Sequence, residues 1–193
     1  MKNLITLLGF IVFYCANSTV AAQDSNLNSP IYDRAEELLT STDTIPDYRT
    51  KANQLKLTGT IYQSDGVTPA KDVILFIEQP NEDGDFELRK TGENRYVFHR
   101  SWVKTDADGK YTIYTFIPGN DRRYNQLQQL FPLVKEPSKE AYELETFLFN
   151  EDPLLTKHCR KKIEKTGDVS RILTTKEEDG ILVANRDITL KSL

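Results

Sequence analysis

The side chains that most often carry out chemistry are scarce in this chain. Its 193 residues include two histidines, His99 and His158, and two cysteines, Cys15 and Cys159. Zinc sites draw on clusters of cysteine and histidine, and a disulfide needs a second cysteine. The lone Cys159 of the predicted domain therefore indicates a bystander thiol. The sequence also lacks a G-x-S-x-G elbow, a Walker phosphate loop and an H-E-x-x-H zinc motif.

Two acidic segments could serve as ion sites, and each has a plainer interpretation. Asp106-Ala107-Asp108-Gly109 has the beginning of a calcium loop but lacks the downstream glutamate, so a hairpin turn explains it better. Asp121-Arg122-Arg123 is expected to be a solvated loop rather than an anion site.

The elements that would position these residues are mostly short strands. Residues 55–61 alternate between apolar and polar, which predicts a half-buried strand, and the apolar run 73–77 predicts a strand covered on both faces. Further strands are predicted at residues 95–105, 111–117, 131–135, 142–149, 172–176 and 181–190, with turns at Asp106–Gly109 and Asp179-Gly180.

The strand pattern predicts an all-β fold, a two-sheet antiparallel β-sandwich with a short C-terminal helix. That helix is expected at residues 153–165, capped by Asp152 and ended by Gly167. A domain is expected at residues 54–193. Residues 23–53 are polar and weakly patterned, which indicates a linker or extension with a short helix at residues 32–39.

Residues 1–22 predict a secretory signal peptide, because Lys2 precedes an apolar stretch and small residues precede a cleavage site after Ala22. The protein is therefore expected to be exported, periplasmic or extracellular. The alternative is a lipid anchor on Cys15, and membrane association is expected only in that case. Soluble export is favoured because Tyr14 is bulky where lipoprotein signals have a small residue. A net charge of -4 with no basic stripe argues against nucleic-acid binding.

Three stretches in order carry a family resemblance. They are residues 57–75, the hairpin RSWVKTDADGKYTIYTFIP at residues 100–118, and the segments from Lys135-Glu136-Pro137 to Arg186-Asp187-Ile188. Together they resemble the intradiol ring-cleavage dioxygenases, which open catechols between the two hydroxyls. Ser101 departs from the glycine that is usual in the family hairpin. The resemblance implies the family's β-sandwich and, in active members, a ferric iron held by two tyrosines and two histidines.

The resemblance also locates the iron ligands, and all four are replaced. The two tyrosine positions fall on Phe86 and Asp121, and the two histidine positions fall on Gln129 and Phe131. We call these the four ligand positions. Phenylalanine has no donor atom for a metal, so no metal, no cofactor and no catalytic residue are expected. Phe86 and Phe131 are instead expected to pack together, and all four side chains to converge.

The sequence is compatible with two functions. The favoured hypothesis is a non-catalytic dioxygenase-like protein that is reused for binding or scaffolding, whose partner is an aromatic small molecule or an envelope protein. The alternative is a divergent dioxygenase that cleaves catechol-type aromatics with a non-standard metal site built around Tyr124 or Asp121. The sequence leaves both an enzyme and a non-enzyme open, and the four replaced ligand positions favour a non-enzyme.

Overall fold

A computed structural model describes residues 29–192 as a sandwich of two sheets. The strands of the first sheet are β1 (Thr42–Thr44), β2 (Gln54–Tyr62), β7 (Lys110–Phe116), β12 (Lys176–Glu178), β13 (Ile181–Asn185) and β14 (Ile188–Thr189). Their order is β1-β7-β2-β13-β12, and β14 pairs with β2. The predicted signal peptide and Cys15 lie outside the described residues.

The second sheet faces the first and carries the candidate site. Its strands are β3 (Ile74–Glu78), β6 (Arg100–Lys104), β8 (Gln129–Lys135), β9 (Tyr142–Glu143), β10 (Phe147–Phe149) and β11 (Ile172–Leu173). Their order is β11-β10-β8-β3-β6, with β9 beside β8. A separate hairpin, β4 (Leu88–Thr91) and β5 (Asn94–Val97), forms what we call the flap.

The predicted all-β sandwich is confirmed, although its sheets are mixed rather than purely antiparallel. The pairs β1–β7, β10–β11, β13–β2 and β14–β2 are parallel. The alternation predicted for residues 55–61 holds throughout β2, where Leu55, Leu57 and Ile61 are fully buried. Because the side-chain period of a strand is two, these residues all enter the core between the sheets.

The apolar run of β3 is buried on both faces, as predicted. Leu75 and Ile77 point into the core between the sheets, and Phe76 points outward into a second cluster with Ile31 and Trp102. The outer cover comes from residues 30–50, predicted as a linker or extension. This segment is an extension packed on the sandwich: β1 pairs with β7, and the Trp102 indole donates to the Pro30 carbonyl at 3.1 Å.

Several predicted elements are shorter or differ in type. Residues 32–39 do not form a helix; two 3-10 turns, Pro30–Tyr32 and Glu36–Leu38, flank extended backbone. The long strand predicted at residues 95–105 breaks at Phe98-His99, because β5 pairs within the flap and β6 pairs with β3. The strands predicted at 142–149, 172–176 and 181–190 are likewise interrupted. The predicted hairpin at residues 100–118 is wrong: the turn at Asp106–Gly109 forms, but β6 pairs with β3 in one sheet and β7 pairs with β1 and β2 in the other.

The C-terminal helix α1 spans Lys157–Thr166 and stops at Gly167 as predicted, but it begins at Lys157 and not at residue 153. Its N-cap is Thr156 rather than Asp152, and the Thr156 hydroxyl accepts from the Cys159 backbone N–H at 3.2 Å. Asp152 is instead buried, and its carboxylate links two parts of a neighbouring loop. It accepts a hydrogen bond from the Asn120 amide at 2.9 Å and another from the Gln128 backbone N–H at 2.8 Å. Within residues 29–192 no helix has the length and apolar character needed to cross a bilayer.

Candidate functional site

Strand β8 displays two of the four ligand positions on the outer face of the second sheet. Leu130 and Val134 point into the core between the sheets, while Gln129, Phe131 and Leu133 alternate with them on the opposite side. Gln129 and Phe131 therefore share one face, two residues apart. Both side chains are partly buried.

The third ligand position, Phe86, meets Phe131 directly. The two ring centroids lie 5.3 Å apart with an interplanar angle of 56°, a tilted arrangement that aromatic pairs favour. This contact confirms the predicted packing of the two phenylalanines. Phe86 nevertheless keeps 38% of its surface exposed, so the pair lies at the edge of the site and not in a sealed core.

The loop that carries Phe86 is fastened to the loop that carries Asp121. Gly119 donates its backbone N–H to the Asn81 carbonyl at 2.9 Å, and the Gln126 amide donates to the Gly84 carbonyl at 2.8 Å. The contact is so close that a Cβ on Gly119 would lie 2.3 Å from the Glu82 carbonyl oxygen. Gly84 itself has φ +89°, a conformation that glycine adopts freely.

The Asp121 carboxylate is bound by Arg123 from the same loop. It accepts from the Arg123 guanidinium at 2.7 Å and from the Arg123 backbone N–H at 2.8 Å. These hydrogen bonds from Arg123 hold the pKa of Asp121 below its ordinary value. The loop is solvated at Arg122 and Arg123, as predicted, but the Asp121 side chain is buried. Convergence of all four ligand positions on one point stays a prediction.

The other candidate residues lie apart from this place. Tyr124 is 79% exposed, and the Arg123 guanidinium lies over its ring at 5.6 Å. His99 is buried at the base of the flap, with its ring 5.0 Å from that of Phe116. His158 is exposed on α1, and Cys159 beside it is partly buried and free.

The donor set at the four ligand positions does not fit the four-ligand ferric centre of the active dioxygenases. Two positions are phenylalanine rings in mutual contact, and the carboxylate at a third is held by Arg123. Glutamine offers only a neutral amide oxygen. Within residues 29–192, no three His, Cys, Asp or Glu side chains are grouped in a way that could hold a metal ion.

Sequence reasoning missed one residue of this face, Glu78. It ends β3 directly opposite Phe131 on β8 and opposite Arg100 on β6. Burial raises the pKa of the Glu78 carboxyl, against a smaller lowering effect of Arg100. A glutamate at the end of the unbroken apolar run 73–77 was the available signal, because a charge there must emerge beside buried neighbours.

Glu78 and Phe131 help line a recess of about 300 Å3 on the outer face, which we call the Glu78 recess. Its apolar walls include Phe76, Leu133 and Leu144, and Glu143 also lines it. Ser29 and Pro30 complete the side nearest the N-terminal extension. The volume is at the small end of the range for small-molecule sites, roughly 300 to 1,000 Å3.

Comparison with known proteins finds similarity in three-dimensional shape alone. No protein-family model and no curated protein sequence matches the chain. Among solved structures, it is similar to the dioxygenase domain of a dioxygenase carbohydrate-binding protein fusion from a cellulolytic Streptomyces species. The TM-score is 0.60 at 15% identity, covering 80% of this chain and 89% of that one.

Two further structures show the same likeness. Catechol 1,2-dioxygenase from an Acinetobacter species matches with a TM-score of 0.58 at 17% identity, covering 80% of this chain and 58% of that one. An intradiol ring-cleavage dioxygenase from Tetranychus urticae matches with a TM-score of 0.56 at 13% identity, covering 78% of this chain and 85% of that one. At such identities the similarity establishes a shared fold.

Proposed function

Because the chain has the fold of the intradiol dioxygenases, we propose that it is a non-catalytic member of that fold, exported from the cell and reused for binding or scaffolding. The observation that carries the proposal is the contact between Phe86 and Phe131, with ring centroids 5.3 Å apart. Two apolar rings stand where the resemblance expects a tyrosine and a histidine. Neither ring has an atom that can bind a cation in the way a phenolate or an imidazole does.

The remaining two positions support the same proposal. The Asp121 carboxylate already receives two guanidinium hydrogen bonds from Arg123, at 2.7 and 3.2 Å. Binding a metal there would require breaking these charge-assisted bonds. Gln129 would remain as a single neutral ligand, which is far from the two phenolates and two imidazoles that the dioxygenase chemistry needs.

Whole-protein metal analysis tests the proposal most directly. The purified chain, produced in iron-rich medium, should contain well under one iron per molecule and show no visible charge-transfer band of tyrosinate–iron. Oxygen uptake should stay at the background rate with a panel of catechols and hydroxyquinol, also after incubation with ferric, ferrous and manganous ions. Stoichiometric iron accompanied by the visible band would refute the proposal.

The same experiment separates the alternative, a divergent dioxygenase built around Tyr124 or Asp121. If metal-dependent oxygen uptake appears, Tyr124→Phe and Asp121→Asn should abolish it, and Tyr62→Phe serves as the matched control on β2. Tyr124 is 79% exposed, which argues against this side chain as part of an enclosed metal site.

Export is supported by residues 1–22 of the sequence, with a charged start, an apolar stretch and a small-residue cleavage pattern. The secreted protein should begin at Gln23 when its N-terminus is sequenced. Cys15→Ser should leave both secretion and the mature mass unchanged. Loss of membrane association in that variant would show lipid anchoring instead.

A further inference from the structure

The Glu78 recess has the charge and shape of a site for an organic cation. Two of the residues that line it are carboxylates, Glu78 and Glu143, and none is a lysine or an arginine. The rest of the lining is apolar or neutral, with the rings of Phe76 and Phe131 among it. A carboxylate beside aromatic rings is the combination that recognises ammonium groups.

The Glu78 carboxylate lacks a direct partner within the described chain. No hydrogen bond or ion pair from residues 29–192 reaches it, although it is partly buried at the end of β3. The nearest cation along the sheet is Arg100, which sits opposite Glu78 on β6. Arg100 acts on Glu78 electrostatically and without direct contact, since its guanidinium is bound to Asp33 and lies over the ring of Tyr96 at 4.1 Å.

A partly buried carboxylate whose nearest cation is not in direct contact is a costly arrangement. The cost falls when a cation enters, because the charge pair forms in surroundings that screen it less than bulk water does. Lys191 does not supply this charge: its ammonium donates to the Glu143 backbone carbonyl at 3.4 Å and lies over the ring of Tyr142. The recess therefore presents a carboxylate that forms no hydrogen bond or direct ion pair with residues 29–192, beside apolar walls.

We propose that the Glu78 recess binds small organic amines, in which a protonated amino group pairs with Glu78 and an attached aromatic or alkyl group packs on Phe131 and Leu133. This inference rests on the proposed function, since it names the class of ligand that a non-catalytic binding domain would hold. The commitment is to a small molecule because the space is about 300 Å3. The Phe131 ring thereby contacts the apolar group of the ligand.

Isothermal titration calorimetry of the full chain with phenethylamine tests the proposal. Phenethyl alcohol and hydrocinnamate are the matched probes, since they replace the ammonium by a neutral and a negative group. The amine should bind at least about tenfold more tightly than the alcohol, and hydrocinnamate should not bind. Equal affinity for the amine and the alcohol would overturn the proposal.

Two variants locate the binding. Glu78→Gln, which keeps the volume and removes the charge, should weaken amine binding at least about tenfold and leave the alcohol unaffected. Glu178→Gln, an exposed change on β12 of the other sheet, is the control that should bind like the natural protein. Phe131→Leu provides a second probe should Glu78→Gln fail to fold, and it should weaken the amine more than the alcohol.

Iron content measured on the same samples keeps the two proposals separable. Amine binding that persists in a protein with stoichiometric iron would refute the non-catalytic proposal alone. An iron-free protein that binds no amine would refute only the ligand class. Amine binding that survives unchanged in both Glu78→Gln and Phe131→Leu would place the ligand elsewhere and overturn this inference.

Discussion

Within one molecule, the segment that joins β6 to β7, residues 100–118, and the four ligand positions differ in how closely they resemble the intradiol dioxygenases. The segment keeps the resembling pattern, although β6 lies in the second sheet and β7 in the first, and its residues stabilise the fold. The Tyr111 hydroxyl donates to the Arg186 carbonyl at 2.6 Å, and the Thr105 hydroxyl donates to the Ala70 carbonyl at 2.7 Å. At the four ligand positions, where the resemblance expects two tyrosines and two histidines, the chain has Phe86, Asp121, Gln129 and Phe131.

The contrast separates residues that stabilise the fold from residues that the resemblance expects to hold iron. A buried hydroxyl that satisfies a backbone carbonyl is costly to remove whether or not the protein is an enzyme. A metal ligand contributes little to folding once the metal is dispensable, and replacing it by an apolar residue can be neutral or stabilising. The comparison can therefore be tested by changing residues of each kind.

The largest effect is expected at Gly59 of β2, a residue that stabilises the fold and is not one of the four ligand positions. A Cβ there would lie 1.9 Å from the Arg186 carbonyl oxygen, so β2 and the segment after β13 would have to separate. Gly59→Ala should lower the free energy of unfolding by about 3 kcal/mol, measured by urea denaturation. Gly92→Ala at the tip of the flap, where nothing lies within 4 Å, is the control and should cost about 1 kcal/mol from its positive φ alone. Equal costs at both glycines would contradict the steric explanation.

A smaller loss is expected for Tyr111→Phe. The change leaves the buried Arg186 carbonyl without the hydroxyl that binds it, which should cost about 1 to 2 kcal/mol of unfolding free energy. Tyr124→Phe removes the same atom from a side chain that is 79% exposed and should change stability by less than about 0.5 kcal/mol. Similar losses of unfolding free energy for both variants would show that the Tyr111 hydroxyl does not stabilise the fold.

His99 should make stability depend on pH. Its ring nitrogens are buried without a hydrogen-bond partner in the described chain, and burial, helped by Lys51, lowers its pKa; Glu87 and Asp47 oppose this and Arg89 adds to it. The unfolded chain therefore takes up a proton before the native one does, so stability should be full above about pH 6.5 and fall as the pH drops below it.

Denaturation midpoints measured from pH 7.5 down to about pH 5 check this prediction. His99→Leu should flatten the slope, whereas His158→Gln on the exposed side of α1 should keep it. A profile for His99→Leu that matches the natural protein would assign the pH dependence to other groups.

The smallest effect is expected at a ligand position. Phe86→Tyr restores a phenol at the first tyrosine position, and because the side chain is 38% exposed its new hydroxyl can remain hydrated. The free energy of unfolding should change by less than about 0.5 kcal/mol, and added ferric ion should give no stoichiometric visible band, since one phenolate does not make a four-ligand site. A loss as large as that of Tyr111→Phe would show that Phe86 carries structural weight.

Local patterns predicted much of the scaffold. The alternation in β2, the double burial of β3 and the turn at Asp106–Gly109 all follow from side-chain period and turn chemistry, which are properties of neighbouring residues. The packing of Phe86 on Phe131 also followed, because the family resemblance placed both rings at one site. Predictions failed where a partner distant in sequence decides the outcome.

The N-terminal extension illustrates that failure. Ile31 and Leu39 follow no strand period, so the local pattern does not show that they cover Phe76 and Trp102. The break at Phe98-His99 has the same origin, since β5 and β6 choose different partners. The displaced helix cap belongs with them, because Asp152 is engaged by Asn120 and Gln128 from another loop.

The sequence by itself determined that the fold is an all-β sandwich and that the four ligand positions lack phenolate and imidazole, because side-chain period and donor chemistry belong to each residue. Only the tertiary structure decided that Arg123 binds the Asp121 carboxylate, that His99 is buried and that Glu78 lies in a recess beside Phe131. Burial and electrostatic partners arise from residues brought together across the sheets. They are therefore visible only once the chain has folded.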